Sequence, residues 1–539
     1  MSVQCEYELV ERPFCEQLRA MGWGWLEGDT DVPELTERAS FREVLLRERL
    51  AAALRRLNLR DGRPWLDEAR IARAIRDLEQ AAGHRLMEAN ESATRLLLEG
   101  TVVDGVPGWE GGRPQPVRYL EYDAARWAEN DFLVINQFKV ELGSGRGHVI
   151  PDAVLFVNGI PLVVAEFKSP GIANPLQQAI DQLLRYSNQR RELFPTLYGE
   201  DEGVERLFHT NQLLVASDFF EARAATLGAP PEAYLEWADT SPVPLGTVAE
   251  ELGLLAPAPV LEEAAAVLAE VGPEQTERAG TPLFFRTPEQ RGAAQAVNAG
   301  AGATLSSQQL LVAGALRPAH LLDVVRNFTV FQQVDGRTRK VVARYQQFRA
   351  VHAAVERLRT GRTREQGAGR DARGGIVWHT QGSGKSLSMV FLVRKMRMTP
   401  GLNRYKVVVV TDRADLEEQM RRTARLSGEA VRPTERDVAA RESATARAQR
   451  ILREPTPDIV FVMLQKYQDA TARDPAERVQ MTIVRREKKP GREEPVTERA
   501  VTLEESIHVE EFPVLNESAE VLVLVDEAHR SHTRTLHRN

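Results

Sequence analysis

Asp152, Glu166 and Lys168 fall within one segment, VIPDAVLFVNGIPLVVAEFKSP, and together could cut a phosphodiester. Residues two apart on a strand share a face, so Glu166 and Lys168 would point the same way. A carboxylate pair converging on Mg2+ can polarise a phosphodiester and hold a water, while a neighbouring lysine positions that water and offsets charge. An exposed strand with scattered charges would carry the same letters. Position separates the two readings: Glu166 and Lys168 end an otherwise apolar run, where an uncompensated charge is costly. A cluster of the three, binding Mg2+ or Mn2+ at one sheet edge, is therefore expected. Register decides whether Asp152 can join it. With Asn158-Gly159 as a strict two-residue turn, Val157 pairs with Ile160 and Asp152 with Ala165, on the face opposite Glu166. Bringing Asp152 to Glu166 requires a three-residue loop, a bulge or splayed strand ends. Downstream, Gln182 and Tyr186 stand at i and i+4 on one helix face, which an ordinary amphipathic helix would show equally.

A second constellation is HTQGSGKSLSMVFLVRKM, which reads as a glycine loop between a strand and a helix. Thr380, Gln381, Gly382, Ser383 and Gly384 would wrap phosphates with backbone N–H groups. Lys385 would reach the β- and γ-phosphates of ATP, and Ser386 would ligate its Mg2+ at the helix N-terminus. His379 occupies the opening position, where a glycine or alanine is usual, so a strict GxxxxGK[ST] pattern fails by one residue. About 140 residues on, VLVLVDEAHRSH sets Asp526 and Glu527 just past an apolar strand. Asp526 would hold the nucleotide's metal through water, and Glu527 would orient the attacking water.

The elements that must carry these residues show in the hydrophobic pattern. REVLLRERLAAALRRLN and ARIARAIRDLEQAAGHRL have helical spacing, whereas DFLVINQFKVEL, AVLFV, PLVVAEF and QLLVAS read as strands, with a helix through QQAIDQLLRYSN. Residues 1–225 are thus expected to form one α/β domain with a helical N-terminus. The Ala-, Pro- and Gly-rich stretch 226–315 reads as a linker or insertion. In 316–539, GIVW, KVVVVTD, DIVFVML and VLVLVDE are nearly all apolar, as suits strands buried on both faces of a parallel sheet. At 539 residues the chain exceeds one ordinary core. With 42% hydrophobic and 27% charged residues it has a globular composition, and no apolar run reaches membrane-spanning length. A net charge of −7 still permits a local basic groove for nucleic acid. The two cysteines, Cys5 and Cys15, read as free thiols in a reducing cytoplasm.

GSGKS followed by DEAH resembles the superfamily 2 helicases and translocases, with VVVVTDRADLEEQ and VMLQKYQD similar to their further motifs. By that pattern Gln347, rather than Gln346, implies an adenine-reading glutamine. PD followed by ExK, and then Q-x-x-x-Y, is similar to the PD-(D/E)xK nucleases. NDFLVINQF, PDAVLFVNGIPLVVAEFK, WHTQGSGKS, TDRADLEEQ and DEAHRSH, in that order, look like the restriction (R) subunit of type I restriction-modification enzymes. The likeness covers 120–225 and 316–539, and more loosely ELVERPFCEQLRAMGW; Ile150 departs from it, where an arginine is expected. The resemblance implies a PD-ExK nuclease-like α/β domain followed by a P-loop RecA-like lobe. It also implies ATP and Mg2+ as cofactors, and double-stranded DNA and the modification (methyltransferase) and specificity subunits as partners. Target sequence would be read by another subunit. A stand-alone repair helicase fused to a nuclease, and an inactive DNA- or nucleotide-binding remnant, remain the competing readings. Motifs of a second motor lobe are absent after His529, so weak ATP turnover is expected of this chain alone.

Overall fold

The computed structural model describes residues 6–81, 83, 85–143, 145, 147–190, 202–253, 305–334, 336–363, 365–367, 371–378, 384–411, 421, 431–434, 437–438, 442–463, 477–485, 499–507 and 514–526. The chain forms two compact units, Met1–Met396 and Arg397–Asn539. It is an α/β protein.

The first unit is organised on a seven-stranded sheet whose strands lie side by side in chain order. These are β1 (Gly24–Glu27), β2 (Phe132–Asn136), β3 (Ala153–Val157), β4 (Ile160–Phe167), β5 (Leu213–Ser217), β6 (Ala222–Ala225) and β7 (Leu235–Glu236). The β1–β2 and β4–β5 pairs are parallel and the others antiparallel. Every residue of β2, β3, β4 and β5 is buried, as suits their largely apolar content. One face carries helix α5 (Pro175–Tyr186), whose Ile180, Leu183 and Leu184 pack against Val154, Phe156 and Val164. Earlier helices are α1 (Arg12–Ala20), α2 (Arg47–Leu57), α3 (Glu68–Glu79) and α4 (Leu86–Glu99). The sheet continues to Glu236, and a short helix follows at Leu245–Glu251, within the stretch that reads as a linker.

The β3–β4 turn is roofed over rather than exposed. Asn158 is fully buried at φ 54°, its amide donating to the Tyr119 carbonyl (2.9 Å) and Asn130 Oδ1 (2.8 Å) while its own oxygen accepts from Asp131 N (2.8 Å). Gly159 has φ 77°, and a Cβ there would lie 2.4 Å from the Leu46 carbonyl, so only glycine fits.

Beyond the sheet, α6 (Pro318–Asn327), the hairpin β8 (Thr329–Val334)–β9 (Arg337–Val342), α7 (Tyr345–Thr360) and α8 (Lys385–Arg397) follow. Phe328 sits among Phe348, His352 and Phe391, joining α6, α7 and α8 through one aromatic cluster. The expected strand GIVW does not form: 375–378 has no strand assignment, and Ile376 and Trp378 are 93% and 79% exposed. An apolar run becomes a strand only where a neighbour completes its hydrogen-bond ladder, and none does so here among the described residues.

The second unit holds a parallel four-stranded sheet in the order β11 (Val431–Arg432), β12 (Ile459–Met463), β10 (Lys406–Thr411), β15 (Val521–Val525). Three of the expected apolar strands are therefore present. β15 is an edge strand with Val523 54% exposed, not buried on both faces as its letters suggest. Helix α9 (Ala444–Arg453) packs Ile451 against Val408 and Val460, and a separate hairpin pairs β13 (Glu477–Arg485) with β14 (Arg499–Ile507).

Candidate functional site

A bulge resolves the register of the β3–β4 hairpin. Val157 pairs with Ile160 and Phe156 with Pro161, as in a two-residue turn, but Leu155 then pairs with Val163, skipping Leu162. The extra residue shifts all later pairs by one, so that Ala153 faces Ala165 and the next step sets Asp152 opposite Glu166. A one-residue slip exchanges the two faces of a strand, and here it delivers the acid to the face where Glu166 stands. The group lies at the ends of two interior strands and not at a sheet edge, which corrects that expectation. Interior strands are shielded on both flanks, which is why these acids are so deeply buried.

Asp152 Oδ2 accepts from Phe167 N (2.7 Å) and Oδ1 from Gln137 Nε2 (3.2 Å). Lys168 Nζ lies 2.7 Å from Glu166 Oε1 and also donates to the Phe167 carbonyl (2.6 Å). Glu166 is 0% exposed, and its Oε2 has no hydrogen-bond partner. Burial raises the Asp152 carboxyl to about 6, with Lys168 pulling it back. Burial pushes Glu166 well above the carboxylate range, and the Asp152 charge adds to the effect. Burial opposes a charged Lys168, but Glu166 and Asp152 outweigh it and its pKa is raised. Two acids thus share one lysine. Among the described residues no three His, Cys, Asp or Glu side chains make a ready cage for a metal. An orphaned, wholly buried carboxylate oxygen beside a second carboxylate nevertheless fits a hard divalent cation completed by water.

The helix after the site contributes as its spacing suggests. Gln182 Nε2 donates to Tyr186 Oη, which in turn donates to the Ile150 carbonyl (3.1 Å), just before Pro151 and Asp152. Ile150 thus meets the site through its backbone, where the side chain is immaterial.

Sequence reasoning missed the N-terminal contribution. Glu11 is buried, accepts from Asn136 Nδ2 (2.7 Å) and Gln137 Nε2 (2.8 Å), and is raised to about 7 by burial. The same Gln137 amide reaches Asp152, so Glu11 and Asp152 share one donor. Glu6 accepts from Ser169 N (3.0 Å) and lies 3.8 Å from Lys168 Nζ. No local pattern carries these contacts, which join residues more than 120 apart in the chain.

Of the second constellation, Thr380, Gln381, Gly382, Ser383 and Glu527 lie outside the described residues. Gly384 has φ 80°, and its carbonyl accepts from Leu387 N (3.0 Å) and Ser388 N (3.2 Å), so α8 begins at Lys385 with Ser386 in its first turn. Gln347 is 3% exposed and its Nε2 donates to the Gly384 carbonyl (2.9 Å), while Gln346 is exposed. Its Oε1 accepts from Arg344 N (2.8 Å) at the start of α7. In the second unit Asp526 is buried directly after β15, with its N donating to the Val410 carbonyl (2.9 Å). Cys15 is a buried free thiol. No helix among the described residues is long and apolar enough to cross a membrane.

Residues 4–233 match the family of type I restriction enzyme R protein N termini, and residues 346–539 match the SWI2/SNF2 ATPase family. The chain is 28% identical over 534 residues to the type I restriction enzyme HindI endonuclease subunit of Haemophilus influenzae, covering 98% of this chain and 39% of that one. It is 24% identical over 536 residues to the provisionally named type I restriction enzyme MjaIXP endonuclease subunit of Methanocaldococcus jannaschii, covering 98% and 40%. The type I restriction enzyme SauCOLORF180P endonuclease subunit of Staphylococcus aureus is 23% identical over 376 residues, 68% of this chain and 30% of its own. The chain therefore spans about two-fifths of the length of the first two relatives. The matches thus set a region similar to restriction enzyme R protein N termini before a region similar to SWI2/SNF2 ATPases. More narrowly, residues 4–233 are similar to type I restriction enzyme R protein N termini, and nearly the whole chain is similar to parts of longer type I restriction endonuclease subunits.

Proposed function

We propose that this chain is the nuclease-and-motor part of a type I restriction R subunit, which cuts double-stranded DNA and spends ATP to move it. The bulge at Leu162 carries the reading, because it turns an ordinary hairpin into one that gathers Asp152, Glu166 and Lys168 on one face. Asp152 and Glu166 would hold Mg2+, which supplies Lewis-acid polarisation of a phosphodiester and a more acidic bound water. Lys168, already on Glu166, would favour that acid's ionised form once a cation is bound, orient the attacking water and offset charge on the phosphate. Tyr186, held by Gln182, would steady the backbone leading into Asp152. The nuclease module would lie within 1–225 and the first RecA-like motor lobe within 316–539.

In that lobe the loop through Gly384 would cradle ATP phosphates, with Lys385 on the β- and γ-phosphates and Ser386 and Asp526 toward their Mg2+. Glu527 would activate water for hydrolysis. Gln347 stands beside the loop, where its amide would either read adenine or brace Gly384, the bond it makes here. Modification and specificity subunits would supply target recognition, and this chain the phosphate-backbone contacts, which position DNA without reading it.

The test is the chain assembled with those subunits. Asp152→Ala and Lys168→Ala should each reduce cleavage of circular duplex DNA by about a hundredfold or more, at or beyond the upper end of the tenfold to hundredfold loss from outer-layer metal-site partners, with nucleotide binding unchanged by calorimetry. Lys385→Ala should reverse the pattern, weakening nucleotide binding. Cleavage at the original rate by the Asp152→Ala protein would sink the assignment.

A further inference from the structure

The hairpin β8–β9 lies in neither matched region, falling between residues 233 and 346, yet it sends a lysine into the nuclease-like unit. Lys340 is 3% exposed, and its Nζ lies 2.9 Å from Asn90 Oδ1, 2.7 Å from the Asn211 carbonyl and 2.9 Å from Gln212 Oε1. None of these partners carries a charge, and burial pushes the lysine's pKa well down.

The surroundings nevertheless call for three N–H donors. The Asn90 amide nitrogen donates to the carbonyls of Phe208, His209 and Asn211, which fixes its oxygen toward the lysine. The Gln212 amide nitrogen donates to Thr94 Oγ1 and the Thr210 carbonyl, which fixes that oxygen likewise. A neutral amine has only two N–H groups and would turn a lone pair on an acceptor; an ammonium satisfies all three. Such an ion, lacking a counter-charge, costs stability unless it secures something else.

What it secures is the bulge. Gln212 N donates to the carbonyl of Leu162, the skipped residue of β4 (2.6 Å), and Thr210 Oγ1 donates to the carbonyl of Pro161 beside it (2.7 Å). From Gln212 the chain enters β5, which pairs with β4 from Val163 through Glu166 to Phe167. In the other direction β9 leads within five residues to Gln347, whose amide holds Gly384. We infer that Lys340 is a positioning residue for the nuclease site, holding from the β8–β9 hairpin the segment that fixes the bulge and so the register of Asp152 against Glu166.

This rests on the metal-site reading above, and calorimetric titration of the 539-residue chain with MnCl2, without nucleotide, separates the two. Lys340→Met keeps the aliphatic bulk and removes the ammonium; it should weaken Mn2+ binding about tenfold to a hundredfold, as outer-layer partners of metal sites do. Lys340→Arg should recover part of that loss. Val330→Ala, which pairs with Val341 and so stands on the opposite hairpin face from Lys340, should lower the melting temperature while leaving Mn2+ affinity as it was. If Lys340→Met does not fold, Gln212→Ala, which removes one acceptor but keeps the backbone bond to Leu162, should show a smaller loss in the same direction. Unchanged Mn2+ affinity in the folded Lys340→Met or Gln212→Ala protein overturns the inference, as does an equal loss in Val330→Ala. Absence of Mn2+ binding by the unaltered chain would overturn the metal-site reading and the inference with it.

Discussion

Two of the places where this chain buries charge are built in opposite ways. At the end of β4, Glu166 bonds Lys168 with Asp152 buried nearby, and one Glu166 carboxylate oxygen meets no donor at all. At the starts of β10 and β12 and the end of β11, Lys406 and Arg432 both bond Asp458, Arg432 forks onto Asp437, and the Arg432 nitrogen on Asp458 also donates to Glu454 at 2.9 Å. Bonds from Arg432 hold the Asp437 carboxyl well below the usual range, whereas burial holds Glu166 well above it. The paired network is what a protein makes when charge serves the fold. An excess of buried acid is unfavourable for the fold, and persists where a ligand is to complete it.

Two substitutions sharpen or break that contrast. The largest effect belongs to the paired cluster: Asp458→Asn strips Lys406 and Arg432 of their common partner and should cost about 3 kcal/mol, as removing one member of a buried ion pair does. Urea unfolding measures it, and a cost below about 0.5 kcal/mol, ordinary for a surface substitution, would mean the network is decorative.

The same kind of substitution at the other place should act with the opposite sign. With metal removed by chelation, Glu166→Gln should melt higher than the unaltered chain at pH 8, by on the order of a few degrees. The direction follows from linkage. Glu166 in the folded chain keeps its proton to higher pH than in the unfolded chain, where it titrates near 4.5, so its folded state is favoured at low pH and loses that advantage as pH rises. The difference between the two proteins should therefore close as pH falls toward 4.5. A Glu166→Gln protein that melts lower than the parent at pH 8 would show that the acid is structurally satisfied after all.

Much of this was legible in advance, for reasons specific to each element. Strands β2 to β5 announce themselves as apolar β-branched runs because they are buried on both faces, and α5 shows its i, i+4 pair because one side faces the sheet. The hairpin pattern defined what register catalysis would need, but not which device would supply it, since a bulge at Leu162 looks like any leucine in an apolar strand. GIVW misled because local propensity says nothing about whether a partner strand is at hand. Glu11, Gln137 and Lys340 were invisible for the same reason: their chemistry lies in contacts between distant segments, such as the 250-residue separation between Lys340 and Asn90.

The roofed turn between β3 and β4 has a consequence for how this molecule ages. Asn-Gly is the dipeptide whose side-chain amide most readily cyclises onto the following backbone nitrogen and deamidates, since glycine offers that nitrogen no steric cover. Here the Asn158 amide is pinned by the Tyr119 carbonyl and Asn130, and the backbone around it is held by Asp131 and the close approach of Leu46. Folding should therefore act as a chemical preservative for this site. Incubating native and urea-unfolded chain side by side and mapping peptides by mass spectrometry should find Asn158 converted only in the unfolded sample; equal conversion in both would show that the turn opens freely.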